Sequence, residues 1–193
     1  LEIDLGYQHR GIERALLGGP HARHLPLIGT VAGDTSIGHA LAGCQVFEAL
    51  SGRQPNTRAR WIRALALEFE RLANHTGDLG ALAGDVGYLP SSSWCGRLRG
   101  DALNMTAELA GNRFGRGLLR VGGVRFDVPP ALATALKQRL NAWVRDVEGA
   151  LECMFEAPSV LARFERVGHI PTSLAQELGL VGPAARASGV SHD

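Results

Sequence analysis

A chain of 193 residues with 45% hydrophobic side chains can bury a substantial core and falls within the size of one domain, expected to span 1–193. Its 20 basic and 19 acidic side chains balance, which excludes the global field that draws a protein to nucleic acid or to an anionic membrane surface. No run of about 18 apolar residues marks a membrane span, and three widely spaced cysteines, Cys44, Cys95 and Cys153, form neither a disulfide framework nor a metal knuckle. The first residues lack the basic and then apolar plan of a signal peptide. The ends, Leu1 and Asp193, are expected to be cuts in something longer.

In chain order, residues 7–17 carry a helical pattern ended by Gly18, Gly19 and Pro20, and 21–31, bounded by Pro20 and Pro26, read as a connector. Asp34, Thr35 and Ser36 offer oxygen acceptors for the start of a helix over 35–51. Asn56 and Thr57 cap a longer helix whose residues Ile62, Leu65, Phe69, Leu72, Thr76 and Leu79 step by three and four. That narrow stripe predicts packing against another helix rather than a sheet. The glycine-rich run 77–87 weakens its end, Pro90 with Ser91, Ser92 and Ser93 predicts a loop, and a further helix is expected over 97–113.

Between 115 and 128 the pattern GRGLLRVGGVRFDV predicts a small hairpin, the one sheet of the fold. Pro129 and Pro130 suit the first turn of a second long helix, in which Leu132, Leu136, Leu140, Trp143, Val147, Leu151 and Met154 recur every three or four residues. A short helix over 159–165 follows, and a capping box at Ser173 and Gln176 starts another closed by Gly179. The fold class is therefore mainly α, a helical bundle with a small β-hairpin.

Two polar groups could carry chemistry. Tyr7, His9, Arg10 and Glu13 occupy the first helix, where spacing puts His9 and Glu13 on one face and Arg10 within ion-pair reach of Glu13, although spacing alone favours an ordinary surface ion pair. Asp34, Thr35, Ser36 and His39 gather at a helix start, where His39 could relay protons and where capping alone accounts for the other three. No G-x-G-x-x-G joins a strand to a helix, no P-loop is present, and no G-x-S-x-G elbow places a serine nucleophile.

The blocks GYQHRGIE at 6–13, AGDTSIGHALAGCQ at 32–45, RARWIRALALEFERLANHTGDLGAL at 58–82, RVGGVRFDVP at 120–129 and GPAARASGV at 182–190 cover nearly the whole chain in a fixed order. Together they resemble the large subunit of membrane-associated nickel-iron hydrogenases, such as that of formate hydrogenlyase, and its relative in respiratory complex I, the quinone-module subunit of NADH:quinone oxidoreductase. The resemblance implies the hydrogenase large-subunit fold and a middle segment of such a subunit. In those hydrogenases two C-x-x-C pairs hold nickel and iron through soft thiolates. Here the first pair falls on Ala32 and Thr35, so no nickel-iron centre is expected.

By the same resemblance the vacated metal cavity becomes part of a quinone site, with His39 at the position of a tyrosine that faces the headgroup and Asp34 on the wall. His9, Arg10 and Glu13 are further candidates for that cavity. The implied function is a subunit of a respiratory or hydrogenase-like redox complex, contributing a quinone cavity wall and an interface to an iron-sulfur subunit. The chain itself is expected to bind no cofactor, the iron-sulfur cluster residing in a partner, and the segment is not expected to be catalytic alone. Its expected location is the cytoplasmic face of the cell membrane, held there through the other subunits. The alternative is a degenerate, non-catalytic scaffold or assembly module of such a complex.

Overall fold

A computed structural model describes residues 2–4, 6 and 9–191. The chain divides into two compact units, Leu1–Glu152 and Cys153–Asp193. In the first, α1 is Ile12–Ala15, α2 His24–Ile28, α3 Ser36–Ser51, α4 Thr57–Asp85 and α5 Leu89–Ala110. Strands β1 (Leu119–Arg120) and β2 (Gly123–Val124) follow, and then α6, Pro130–Phe155, all but the last three residues of which belong to this unit. The mainly α reading holds, and the hairpin is antiparallel with Leu119 opposite Val124 and Arg120 opposite Gly123. Its two-residue turn needs Gly122, which adopts φ 84.

α4 starts as its sequence predicts, with Asn56 Oδ1 accepting the N–H of Ala59 at 2.8 Å. It does not fray at its glycines. The expected loop at 90–93 is likewise helix, because Pro90 occupies the first turn of α5, where its missing N–H is not needed. The reason is the α4–α5 seam. Ala59, Ala66, Ala73 and Gly80 recur every seven residues on the buried face of α4, and small residues there bring α5 close. A Cβ on Gly80 would lie 2.9 Å from Cβ of Cys95, and one on Gly77 2.9 Å from Cδ of Arg99. Gly80→Val therefore drives the helices apart and lowers stability by about 1–3 kcal/mol, the usual cost of overpacking, read as a fall in the midpoint of thermal unfolding.

α5 is also the partner of α6. The indole N–H of Trp143 donates to the Leu98 carbonyl at 2.8 Å, Ser91 Oγ donates to the Ala150 carbonyl at 2.9 Å, and Arg97 pairs with Asp146. Arg139 pairs with Glu108. The core is a continuous cluster in which Phe69, Leu98, Met105 and Leu118 are essentially inaccessible to solvent. Arg58 fastens the start of α4 to the segment before α6, donating to Asp127 at 2.9 Å and to the Val128 carbonyl at 2.6 Å.

The N-terminal part departs most from expectation. Of the helix predicted over 7–17, the described residues 9–17 keep only the four of α1, since Gly11 takes a left-handed φ of 64 and breaks the pattern just before it. Tyr7 lies outside the described residues. The connector at 21–31 contains α2, which tolerates Pro26 within its first turn. Its first residue, His24, is buried: Nδ1 accepts the His21 N–H at 3.0 Å and Nε2 meets the Leu16 carbonyl at 2.8 Å. Both ring nitrogens thus serve the backbone.

In the second unit, α7 is Pro158–Phe164, α8 Thr172–Glu177 and α9 Gly182–Ala187. The expected capping box at Ser173 and Gln176 is absent, because α8 begins two residues earlier, with Pro171 rather than Ser173 at its N-cap. Thr172 instead donates its hydroxyl to the Ser188 carbonyl at 2.7 Å, joining α8 to the end of α9. No helix among the described residues is long and apolar enough to cross a membrane.

Candidate functional site

The candidate site is the start of α3. Thr35 is its N-cap, yet no side chain of Asp34, Thr35 or Ser36 caps the helix. The cap comes from α4: the Glu70 carboxylate accepts the N–H of Ile37 at 2.6 Å and that of Gly38 at 2.9 Å. Gly38 makes room for it, since a Cβ there would lie 3.0 Å from Cγ2 of Thr35 and 3.3 Å from Oε1 of Glu70. Burial raises the carboxyl pKa of Glu70, while its backbone hydrogen bonds and the nearby His39 act to lower it.

Asp34 lines one crevice with Glu70, and His39 lies near enough to Glu70 to act on its charge, so both candidates stand beside a residue that spacing did not single out, with no contact between them among the described residues. Asp34 pairs with Arg99 of α5 at 3.0 Å and its carbonyl accepts from Asn74 Nδ2 at 3.0 Å. Asp34, Glu70, Asn74, Arg99 and Arg113 border a crevice with only about 10 Å³ of free space, room for no more than a single water. Of the other candidates, Arg10 donates to the Val31 carbonyl at 2.7 Å, which places its guanidinium on the loop leading to Asp34 rather than against Glu13. His9 precedes α1 and Glu13 lies within it, both exposed, so the shared helical face expected of them does not form.

Ala32 and Thr35 stand in the turn before α3 and provide no thiolate, so this donor set does not fit nickel or iron. Cys44 and Cys95 are buried away from that turn, and burial pushes the Cys44 thiol up to about 11, far from a thiolate at neutral pH. Among the described residues no group of three or more His, Cys, Asp or Glu side chains could hold a metal ion.

A second buried charge on α4 organises the other side of α3. Arg63, with a side chain 4% exposed, makes a two-pronged ion pair with Glu48 at 2.6 and 3.1 Å. Its guanidinium also donates to the carbonyls of Arg120 at 2.7 Å and Gly123 at 3.0 Å, and Glu48 accepts the Gly122 N–H at 2.7 Å. This network pins the hairpin to α3 and α4. Arg63 holds the Glu48 carboxyl below its usual range. Sequence reasoning missed both carboxylates and Arg63, although the signal was there: Arg63 and Glu70 lie seven residues apart on the same face as Ile62, Ala66, Phe69 and Ala73.

Comparison with known proteins agrees with this architecture. The chain is 31% identical over 189 residues to NADH-quinone oxidoreductase subunit 4 of Thermus thermophilus, covering 98% of this chain and 46% of that protein. It is 29% identical over 196 residues to the membrane-bound hydrogenase subunit alpha of Pyrococcus furiosus, with 100% and 45% covered. To a further NADH-quinone oxidoreductase subunit, from Salinibacter ruber, it is 28% identical over 191 residues, with 99% and 42% covered. The chain thus spans a little under half the length of these relatives. Residues 85–193, more than half of the chain, match the family described as the respiratory-chain NADH dehydrogenase, 49 Kd subunit. That match over more than half of its length shows that the chain belongs to this family, and it is similar as well to a membrane-bound hydrogenase subunit alpha.

Proposed function

We propose that this chain forms one wall of a quinone-reducing cavity within a membrane-associated redox complex and meets an iron-sulfur subunit that delivers electrons. The observation that carries the reading is the polar start of α3, where the buried, helix-capping Glu70 has His39 near it and shares a crevice with Asp34. In the resembling hydrogenases this turn bears the first cysteine pair. With Ala32 and Thr35 there instead, the turn suits an organic headgroup better than a soft metal.

Reduction of a quinone to a quinol takes two electrons and two protons. On this reading the electrons come from the iron-sulfur partner. Its own residues bind and orient: the His39 imidazole can donate a hydrogen bond to a quinone carbonyl, and Arg99 holds the Asp34 carboxylate in place. The crevice is too small to enclose a ring, so the headgroup lies against this wall and other polypeptide closes the remaining sides. The complex in turn holds the chain at the cytoplasmic face of the membrane.

The test is binding of a short-chain quinone analogue to the complete subunit in its complex. Saturable binding is expected, weakened about tenfold by His39→Ala and by Asp34→Ala, as for the loss of one well-placed hydrogen bond at a site. If neither change alters binding while the complex still assembles, the chain is a scaffold and not a cavity wall.

A further inference from the structure

A cleft of about 600 Å³ shares the first turn of α3 through Ser36 and Ala40 and runs between the α2 segment and the hairpin. Three of its twelve lining residues, Arg116, Arg120 and Arg125, are arginines and none is acidic, in a chain whose formal net charge is only +1. Six arginines outside the cleft, Arg58, Arg63, Arg71, Arg97, Arg99 and Arg139, each meet a carboxylate. Among the described residues the three in the cleft form no ion pair, and all are exposed.

We propose that this cleft docks an acidic segment of an adjoining subunit, its carboxylates taken by Arg116, Arg120 and Arg125 and its apolar side chains by a floor that includes Leu25 and Leu119. Planar guanidinium forks match carboxylates two bonds at a time. Two of them are steadied against rings, Arg116 over Phe114 at 5.6 Å and Arg125 over Phe126 at 5.3 Å. The strands that carry Arg120 and flank Arg125 are held by Arg63, which donates to the Arg120 and Gly123 carbonyls. The charges are therefore pre-placed, and little ordering cost remains for docking.

A phosphate-bearing small molecule fits less well. The N–H groups of Ile37 and Gly38 at the start of α3, which would cradle a phosphate, are already taken by Glu70. No aromatic ring lines the cleft to stack a base. An extended acidic and apolar segment uses both the separated cations and the floor. The proposal rests on the chain working as one subunit of an assembly, and it does not depend on the quinone assignment.

The experiment compares the complete subunit with its Arg120→Glu, Arg125→Glu double variant. Two readouts are taken: assembly with the other subunits at low and high salt, and binding of a synthetic peptide of alternating glutamate and leucine to the separately purified subunit. At least a tenfold loss in both is expected for the variant, with wild-type binding weakened by salt and the residual binding of the variant insensitive to it. The Arg120→Gln, Arg125→Gln pair, which removes charge without reversing it, gives a smaller loss in the same direction and stands in if the reversed variant fails to fold.

Unchanged peptide binding and assembly overturn the proposal, as does a cleft that takes inorganic pyrophosphate but not the peptide. It is equally overturned if the complete wild-type subunit binds neither probe because its own remaining chain fills the cleft. Binding of the quinone analogue is followed in the same samples. Loss of assembly with that binding intact, or the reverse, separates a failure of one reading from a failure of the other.

Discussion

Replacing Arg63 by methionine lowers the stability of the first unit by about 3–5 kcal/mol in denaturant unfolding, because it leaves the Glu48 carboxylate buried without its counter-charge. The loss reaches beyond the pair. Glu48 keeps only the Gly122 N–H, while the Arg120 and Gly123 carbonyls lose their donor, so the hairpin is released from α3 and α4. Removing both charges, with Glu48→Leu and Arg63→Met together, costs less than the sum of the single changes, since no lone charge remains. Acid unfolding reads the same contact. Arg63 lowers the Glu48 carboxyl from its usual 4.5 in the folded chain. The stabilisation is therefore present above that value and lost as pH falls through the lower, folded one. That limb of the pH profile disappears in Arg63→Met, and an unchanged unfolding midpoint in the variant shows the pair to have no net worth.

Glu70→Ala costs about 2–3 kcal/mol, for it strips the cap from α3 and leaves the N–H groups of Ile37 and Gly38 without acceptors in the interior. Glu70→Gln retains one acceptor oxygen and costs less. The pH dependence has the opposite sign to that of Glu48. Burial raises the Glu70 carboxyl above its usual 4.5 in the folded chain, so its contribution is full below that value and declines as pH rises through the folded one. The stability gap between wild type and Glu70→Gln accordingly narrows as pH climbs from about 4.5 towards the raised folded value, as measured by unfolding over that range. A gap that widens instead shows the carboxylate to be better solvated than its burial implies.

Long, strongly periodic elements were legible without any structure. α4 and α6 follow their apolar spacing, and the two-residue turn with Gly122 announces the hairpin. Errors concentrated where a local rule met a tertiary one. Gly77, Gly80 and Gly84 read as a helix end but are the seam on which α5 lies, a role visible only once the partner helix is known. Asp34, Thr35 and Ser36 satisfy every local criterion for a cap, yet a carboxylate 33 residues beyond Ile37 does the capping. The region 7–17 looked helical because its apolar spacing is right, and Gly11 overrides that spacing. Of the candidate site, Asp34 and His39 were singled out by their grouping at a helix start and again by resemblance. Glu70 and Arg63 were hidden by a reading that scored the buried face of α4 for apolar residues and passed over charges at the same period.

The connection between α4 and α5 is only residues 86–88, so the largest helix pair of the chain is a neighbour contact along the sequence. Arg63, by contrast, meets the hairpin across 57 and 60 residues. Closing short loops is fast and closing long ones is slow. During folding the α4–α5 hairpin can therefore form as an early local event, with its small-residue seam already in register. The hairpin that carries Arg120 is fastened late, when a single guanidinium finds its carbonyls.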